Sequence, residues 1–128
     1  MSFRILIADD EPHIRTALRR IVESHEDWMV CDEAADGLQA VEKAGALAPD
    51  LVLLDVSMPH LDGLSAIPRI RERAPDAGIL ILTLHQSLDM ARMAAAAGAW
   101  AYVAKSLAAT ELVPTIEAFR VAASTPSN

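Results

Sequence analysis

The 128-residue sequence predicts an α/β domain built on a doubly wound parallel sheet. Two patterns carry that reading. Five short apolar runs alternate with longer segments of helical period, and turn-forming residues fall in the gaps. Three of the runs are apolar throughout, as strands covered on both faces are. Composition agrees: 52% of residues are hydrophobic and only 4% aromatic. Such a core is made of aliphatic side chains and alanine, and disorder is disfavoured.

The first strand is Ile5-Leu6-Ile7-Ala8. Ile14, Ala17, Leu18, Ile21 and Val22 then share one face of a helix. Met29-Val30-Cys31 marks the second strand. Cys31 is the sole cysteine, so no internal disulfide forms and a reducing compartment fits. Among apolar neighbours it reads as a small buried hydrophobe, not a nucleophile. Leu38, Val41, Ala44 and Ala48 give a second helix with a weaker stripe.

Leu51-Val52-Leu53-Leu54 is the third strand. The segment from Leu64 to Ala74 is helical, with Pro68 inside it, so a late start or a kink is expected. Its Arg69, Arg71 and Arg73 are interrupted by Glu72 and read as a solvated face. Ile79-Leu80-Ile81-Leu82 is the fourth strand. Met90, Met93, Ala94 and Ala97 form the fourth helix, with both methionines as core packing. Trp100-Ala101-Tyr102-Val103 is the fifth strand, and its alternation sets Trp100 beside Tyr102 on one face, against the fourth helix. Leu112, Ile116, Phe119 and Ala123 close the pattern. Residues 1–123 thus form one domain, and the small, polar residues 124–128 read as a tail or the start of a linker.

A formal charge of -7 repels phosphate backbones, so direct nucleic-acid binding by this segment is disfavoured. The N-terminus lacks the apolar stretch of a signal peptide. The Ala-rich stretch near Met93 to Ala104 is broken by Gly98 and falls short of the ~20 residues of a membrane span. A soluble, cytoplasmic protein is expected, with no membrane partner.

Ligands of open α/β sheets bind beyond the carboxyl ends of the strands. Asp9, Asp10 and Glu11 follow the first strand, Asp55 the third, Thr83 the fourth and Lys105 the fifth. Clustered carboxylates repel one another and call for a cation, and Mg²⁺ suits an oxygen donor set that also meets phosphate. Asp10 and Asp55 are the best direct ligands. Asp9 acts through water, and the Ser57 backbone carbonyl offers a further oxygen. A carboxylate oxygen of Asp55 can attack phosphorus, with Mg²⁺ and Lys105 balancing the charge and Thr83 donating a hydrogen bond. Taken singly, each residue has a plainer role: Asp9 or Asp10 as helix cap, Thr83 as a backbone-bonded hydroxyl, Lys105 as a surface charge. Met58-Pro59 and Asp62-Gly63 shape the loop after Asp55. His13, His25 and His60 lack ligand spacing.

These residues resemble the receiver domain of two-component response regulators, the CheY-like, flavodoxin-like fold. The resemblance runs from Ile5 through Phe119. It rests on Asp9-Asp10-Glu11, on Asp55-Val56-Ser57-Met58-Pro59-His60-Leu61-Asp62-Gly63, on Thr83, and on Tyr102 with Lys105. Glu33-Ala34-Ala35-Asp36-Gly37 fits the second strand-to-helix junction. The resemblance implies five parallel strands in the order 2-1-3-4-5 with five helices. It also implies a sensor histidine kinase as phosphodonor, Asp55 as acceptor, Mg²⁺ (or Mn²⁺) on Asp9, Asp10 and Asp55, and Lys105 against the phosphoryl group. Thr83 and Tyr102 are then a coupled switch acting on the face of the fourth helix, fifth strand and fifth helix. Such a domain is a stoichiometric phosphoacceptor, not a turnover enzyme.

Four features differ from many receivers. Ser106 stands where proline is common, and Leu84 where a small residue is. Ser57 and His85 flank the path of attacking water in such domains and tune phosphoryl lifetime. Leu84-His85 and Ser106 look most like receivers of LuxR/NarL-type regulators, whose helix-turn-helix output controls transcription. A phosphorylation-linked homodimer is expected by the same resemblance. Three rival readings are weaker. A haloacid-dehalogenase-like phosphatase needs an acid where Ser57 stands. A flavin carrier needs a hydroxyl- and glycine-rich loop where Asp9 to Pro12 stand. A never-phosphorylated interaction module has no need of Asp10, Asp55, Thr83 and Lys105 together.

Overall fold

The computed structural model describes residues 2–84 and 87–124. In chain order the elements are β1 (Phe3–Ala8), α1 (Pro12–Glu23), β2 (Trp28–Ala34), α2 (Gly37–Leu47), β3 (Leu51–Asp55), α3 (Gly63–Arg73), β4 (Gly78–Thr83), α4 (Leu88–Ala97), β5 (Ala101–Ala104) and α5 (Ala108–Ser124). A 3-10 turn, Lys105–Leu107, joins β5 to α5. The strands pair in parallel in the order β2-β1-β3-β4-β5, as expected.

Alternation along each central strand feeds two cores. Ile5, Ile7, Leu51, Leu53, Leu80 and Leu82 face α1 and α5 with Leu18, Val22, Leu112 and Ile116. Leu6, Val52, Leu54, Ile79 and Ile81 face α2, α3 and α4 with Val41, Ile67 and Ile70. Both faces are covered, so these strands carry no polar position until their ends. Among the described residues no helix is long and apolar enough to cross a membrane.

β2 is an edge strand and runs further than its apolar residues alone indicate, through Asp32 and Glu33. Its pairing with β1 slips between Ile5 and Leu6, which face Val30 and Asp32. Cys31 is the extra residue of that bulge. It is half-buried against the α2–α3–α4 core, and burial pushes its thiol up. That suits a packing residue rather than a nucleophile.

Two expectations are corrected, and of the two outcomes expected at Pro68 the late start is excluded. α3 does not start late: it begins at Gly63 and continues past Pro68. Asp62 caps it by accepting from the Ser65 N–H at 2.9 Å, and this cap, not the proline, sets the boundary. Met93 is not core: it is 48% exposed, and only Ala94 of α4 is buried. Trp100 does not share a face with Tyr102. It precedes β5, where strand alternation does not hold. Its ring packs edge-on against Phe119 of α5 at 5.4 Å, whereas Tyr102 packs with the α2–α3–α4 core.

Candidate functional site

Every strand-end residue singled out from the sequence falls on the carboxyl edge of the sheet. Asp55 ends β3, Thr83 ends β4, Asp9 and Asp10 follow β1, and Lys105 follows β5. Leu82 pairs with Asp55 and Thr83 with Ala104 in the sheet register. Asp9, Asp55 and Thr83 are the buried polar residues among those described. Asp10 is exposed.

The Lys105 ammonium bridges two acids, at 2.8 Å from Asp9 Oδ2 and 3.2 Å from Asp55 Oδ1. Asp9 divides its oxygens. Oδ1 accepts from the Glu11 N–H at 2.9 Å, so the capping role weighed for this residue is present alongside the site. Oδ2 is buried, and its one partner among the described residues is the Lys105 ammonium. Asp10 does not cap α1, whose flanking residue is Glu11, followed by Pro12 in the first turn. Asp55 Oδ1 also accepts from the Ser57 N–H at 3.3 Å.

The electrostatics follow from this crowding. Burial first, and then the Asp9 carboxylate, raise the Asp55 pKa to about 6, against the pull of Lys105. Burial alone lowers the Lys105 pKa. The hydrogen bond to Asp9 and the charges of Asp55 and Asp9 outweigh it, so the ammonium is held above its ordinary value. One lysine faces three carboxylates. Oxygen atoms of Asp9, Asp10 and Asp55 all lie within 4.8 Å of one another. A hard divalent cation fits this donor set, because three clustered carboxylates with one ammonium leave a surplus of negative charge for it to relieve.

The backbone around Asp55 is fixed by close contacts. A side chain at Gly63 would meet the Asp55 carbonyl oxygen at 2.1 Å, and one at Gly37 would meet the Leu61 carbonyl oxygen at 1.9 Å. Each glycine follows an N-cap aspartate, Asp62 and Asp36, whose side chains accept from Ser65 and Gln39. The Val56 N–H donates to the Leu82 carbonyl and the Gly63 N–H to the Val56 carbonyl, at 3.0 and 2.8 Å. The loop from Val56 to Asp62 is thereby clamped between β4 and the starts of α2 and α3.

Tyr102 lies half-buried on β5, opposite Ile81 in register. Leu84 is 66% exposed, and Ser57 and Ser106 are exposed beside the site. No peptide bond is cis among the described residues, in line with a serine at position 106. His85 lies outside the described residues.

The sequence reading missed a neighbouring ion network. Arg15 Nε donates to Glu33 Oε1 and Arg19 Nε to Glu33 Oε2, each at 2.9 Å. Arg15 also donates to the Asp9 carbonyl at 2.7 Å. Lys43 donates to the Glu33 carbonyl. The available signal was Glu33 at the inner end of an edge strand, with two arginines one helical turn apart on α1.

Known proteins agree with this geometry. The family profile of the response regulator receiver domain matches residues 5–117. The transcriptional regulatory protein YhcZ of Bacillus subtilis is 40% identical over 112 residues, covering 88% of this chain and 52% of that protein. A two-component response regulator of the LuxR family from Aurantimonas sp. superimposes with a TM-score of 0.90 at 38% identity, covering 95% of this chain and 87% of that one. CheY in a complex with CheX, BeF3 and Mg²⁺ from Borrelia burgdorferi has a TM-score of 0.86 at 27% identity, covering 92% and 89%. The chain belongs to the response regulator receiver domain family, the phosphoacceptor modules of two-component systems. It spans about half the length of the curated relatives it matches.

Proposed function

We propose that this chain accepts a phosphoryl group on Asp55 from a sensor histidine kinase and converts the added charge into an on/off signal. The observation that carries the reading is the Lys105 ammonium bridging buried Asp9 and Asp55, with Asp10 within metal-sharing distance. An Asp55 oxygen attacks phosphorus, the P–N bond of the donor phosphohistidine breaks, and the imidazole nitrogen leaves with the bonding pair. Lys105 is released from its carboxylates toward the new phosphoryl oxygens, and Thr83 donates to one of them. Asp10, Asp55 and the Ser57 carbonyl would hold Mg²⁺ (or Mn²⁺), and Asp9 would act on it through water. When bound, the ion neutralises charge on the transferring oxygens. The relative solved in a complex with Mg²⁺ supports the choice of ion.

The signal leaves through Thr83 and Tyr102 to the face of α4, β5 and α5. One new dianion biases two packings of similar energy. Ser57 and His85 set how long the phosphoryl group lasts. The domain is stoichiometric and occupies residues 1–123. Residues 124–128 are a tail or the start of a linker, the output is transcription through a helix-turn-helix domain that is not part of these 128 residues, and phosphorylation is coupled to dimerisation. The similarity to LuxR-family and transcriptional regulators supports that output.

Incubation with acetyl phosphate and Mg²⁺ is expected to add one phosphoryl mass, lost in Asp55→Asn and without added metal. No mass gain in the wild-type chain, or a gain that persists in Asp55→Asn, would overturn the reading.

A further inference from the structure

Asp10 differs from the other two acids of the cluster in having nothing to hold it. It is exposed, and among the described residues no hydrogen bond or ion pair engages its carboxylate. Its position is therefore set by the backbone, and that backbone is tied down. The Asp9 N–H donates to the Ala34 carbonyl of β2 at 3.0 Å. The Asp9 carbonyl, which belongs to the peptide leading into Asp10, accepts from Arg15 Nη1 at 2.7 Å. Arg15 is only 17% exposed and its planar fork is aimed by Glu33, one donor to the carboxylate and another to the Asp9 carbonyl. Glu33 is in turn fixed by Arg19 and by its place beside Ala34 on β2.

We infer that Arg15, aimed by Glu33, is a positioning residue: it fixes the Asp9–Asp10 peptide and so determines where Asp10 is presented to a divalent cation. This rests on the reading of Asp10 as a metal ligand. Lysine is a poor substitute, because a single ammonium lacks the rigid fork that reaches both oxygens.

Charge and position pull in opposite directions, which gives the inference a sign. A guanidinium near the site repels a divalent cation, so removing its charge alone tightens metal binding. Losing the brace loosens it, and partners behind metal ligands are worth about 10- to 100-fold in affinity.

The test is Mn²⁺ binding to the 128-residue chain, followed by the electron paramagnetic resonance signal of free Mn²⁺ and by competition with Mg²⁺. Arg15→Gln is expected to weaken binding about tenfold. Arg15→Lys recovers part of that loss. Arg20→Gln also removes a positive charge from α1, from an exposed side chain that takes no part in the Arg15–Glu33–Asp9 brace, and it stays within about twofold of wild type. In an Asp10→Asn background, Arg15→Gln causes no further loss, because the ligand it presents is gone and only the slight tightening from the lost charge remains. A merely structural role would weaken both backgrounds alike and so overturn the inference, as would unchanged or tighter binding in Arg15→Gln. If Arg15→Gln does not fold, Glu33→Gln leaves the arginine present but unaimed, and a loss of about threefold or more is expected; its absence overturns the inference. Failure of the wild-type chain to bind either ion would instead overturn the Asp10 assignment beneath it.

Discussion

α3 and α4 lie side by side on the same face of the sheet, yet they are held very differently. α3 buries Gly63, Ala66, Ile67 and Ile70, and its first residue rests against the Asp55 carbonyl. α4 buries Ala94 alone, and Leu88 and Met93 stand 66% and 48% exposed. Asp55, the proposed acceptor, thus has its backbone against a well-buried helix, while Thr83 ends the strand that leads to a lightly packed one. Local stability follows buried contact, so the element with least of it is the one that a new charge can displace at low cost.

The largest test of this contrast is stability. Ile70→Ala removes a fully buried side chain and is expected to cost about 2–5 kcal/mol in urea denaturation. Met93→Ala should stay within about 0.5 kcal/mol. Similar losses at the two sites would erase the distinction.

A second test sharpens the stiff side through pH. Asp55 in the folded chain has its pKa raised to about 6 by burial and by Asp9, above the ordinary carboxylate value of about 4. A raised carboxyl contributes stability fully below about pH 4 and loses it as pH climbs through 6. In metal-free buffer near pH ~7.5, Asp55→Asn is therefore expected to be more stable than wild type by about 1–2 kcal/mol, a figure reduced for solvent screening. The gap should close toward pH ~4; a gap that widens on acidification would refute the assignment.

The smallest effect is local. Ser87 caps α4 by accepting from the Met90 N–H at 3.0 Å. Ser87→Ala should cost about 1 kcal/mol, seen as faster amide exchange in α4 with α3 unchanged. Exchange quickened equally in both helices would mean that they open as one unit.

The central strands were legible because a strand covered on two faces needs apolar residues at successive positions, as Leu51 to Leu54 provide. The same logic fails at the sheet edge. Asp32 and Glu33 belong to β2, but an edge strand tolerates charge and so leaves no apolar signature. Trp100 misled because side-chain parity says nothing outside a strand. Met93 misled because helical spacing identifies a face without saying whether anything covers it. The acids, Thr83 and Lys105 were legible as a set because strand ends converge by topology. Which of Asp9 and Asp10 turns inward was not, since chain direction after a strand end depends on tertiary contacts such as Arg15 with the Asp9 carbonyl. For the same reason Arg15 carried no signal of its own, and Glu33 entered only as part of the motif at the second strand-to-helix junction.

The glycines at 37 and 63 press on opposite ends of one short stretch of chain, the first on Leu61 and the second on Asp55. A methyl group added at position 37, on a different helix, would displace that stretch as surely as one added at 63. Two sites far apart in the gene therefore share a single allowance of space, and a change at either bears on the loop that follows Asp55.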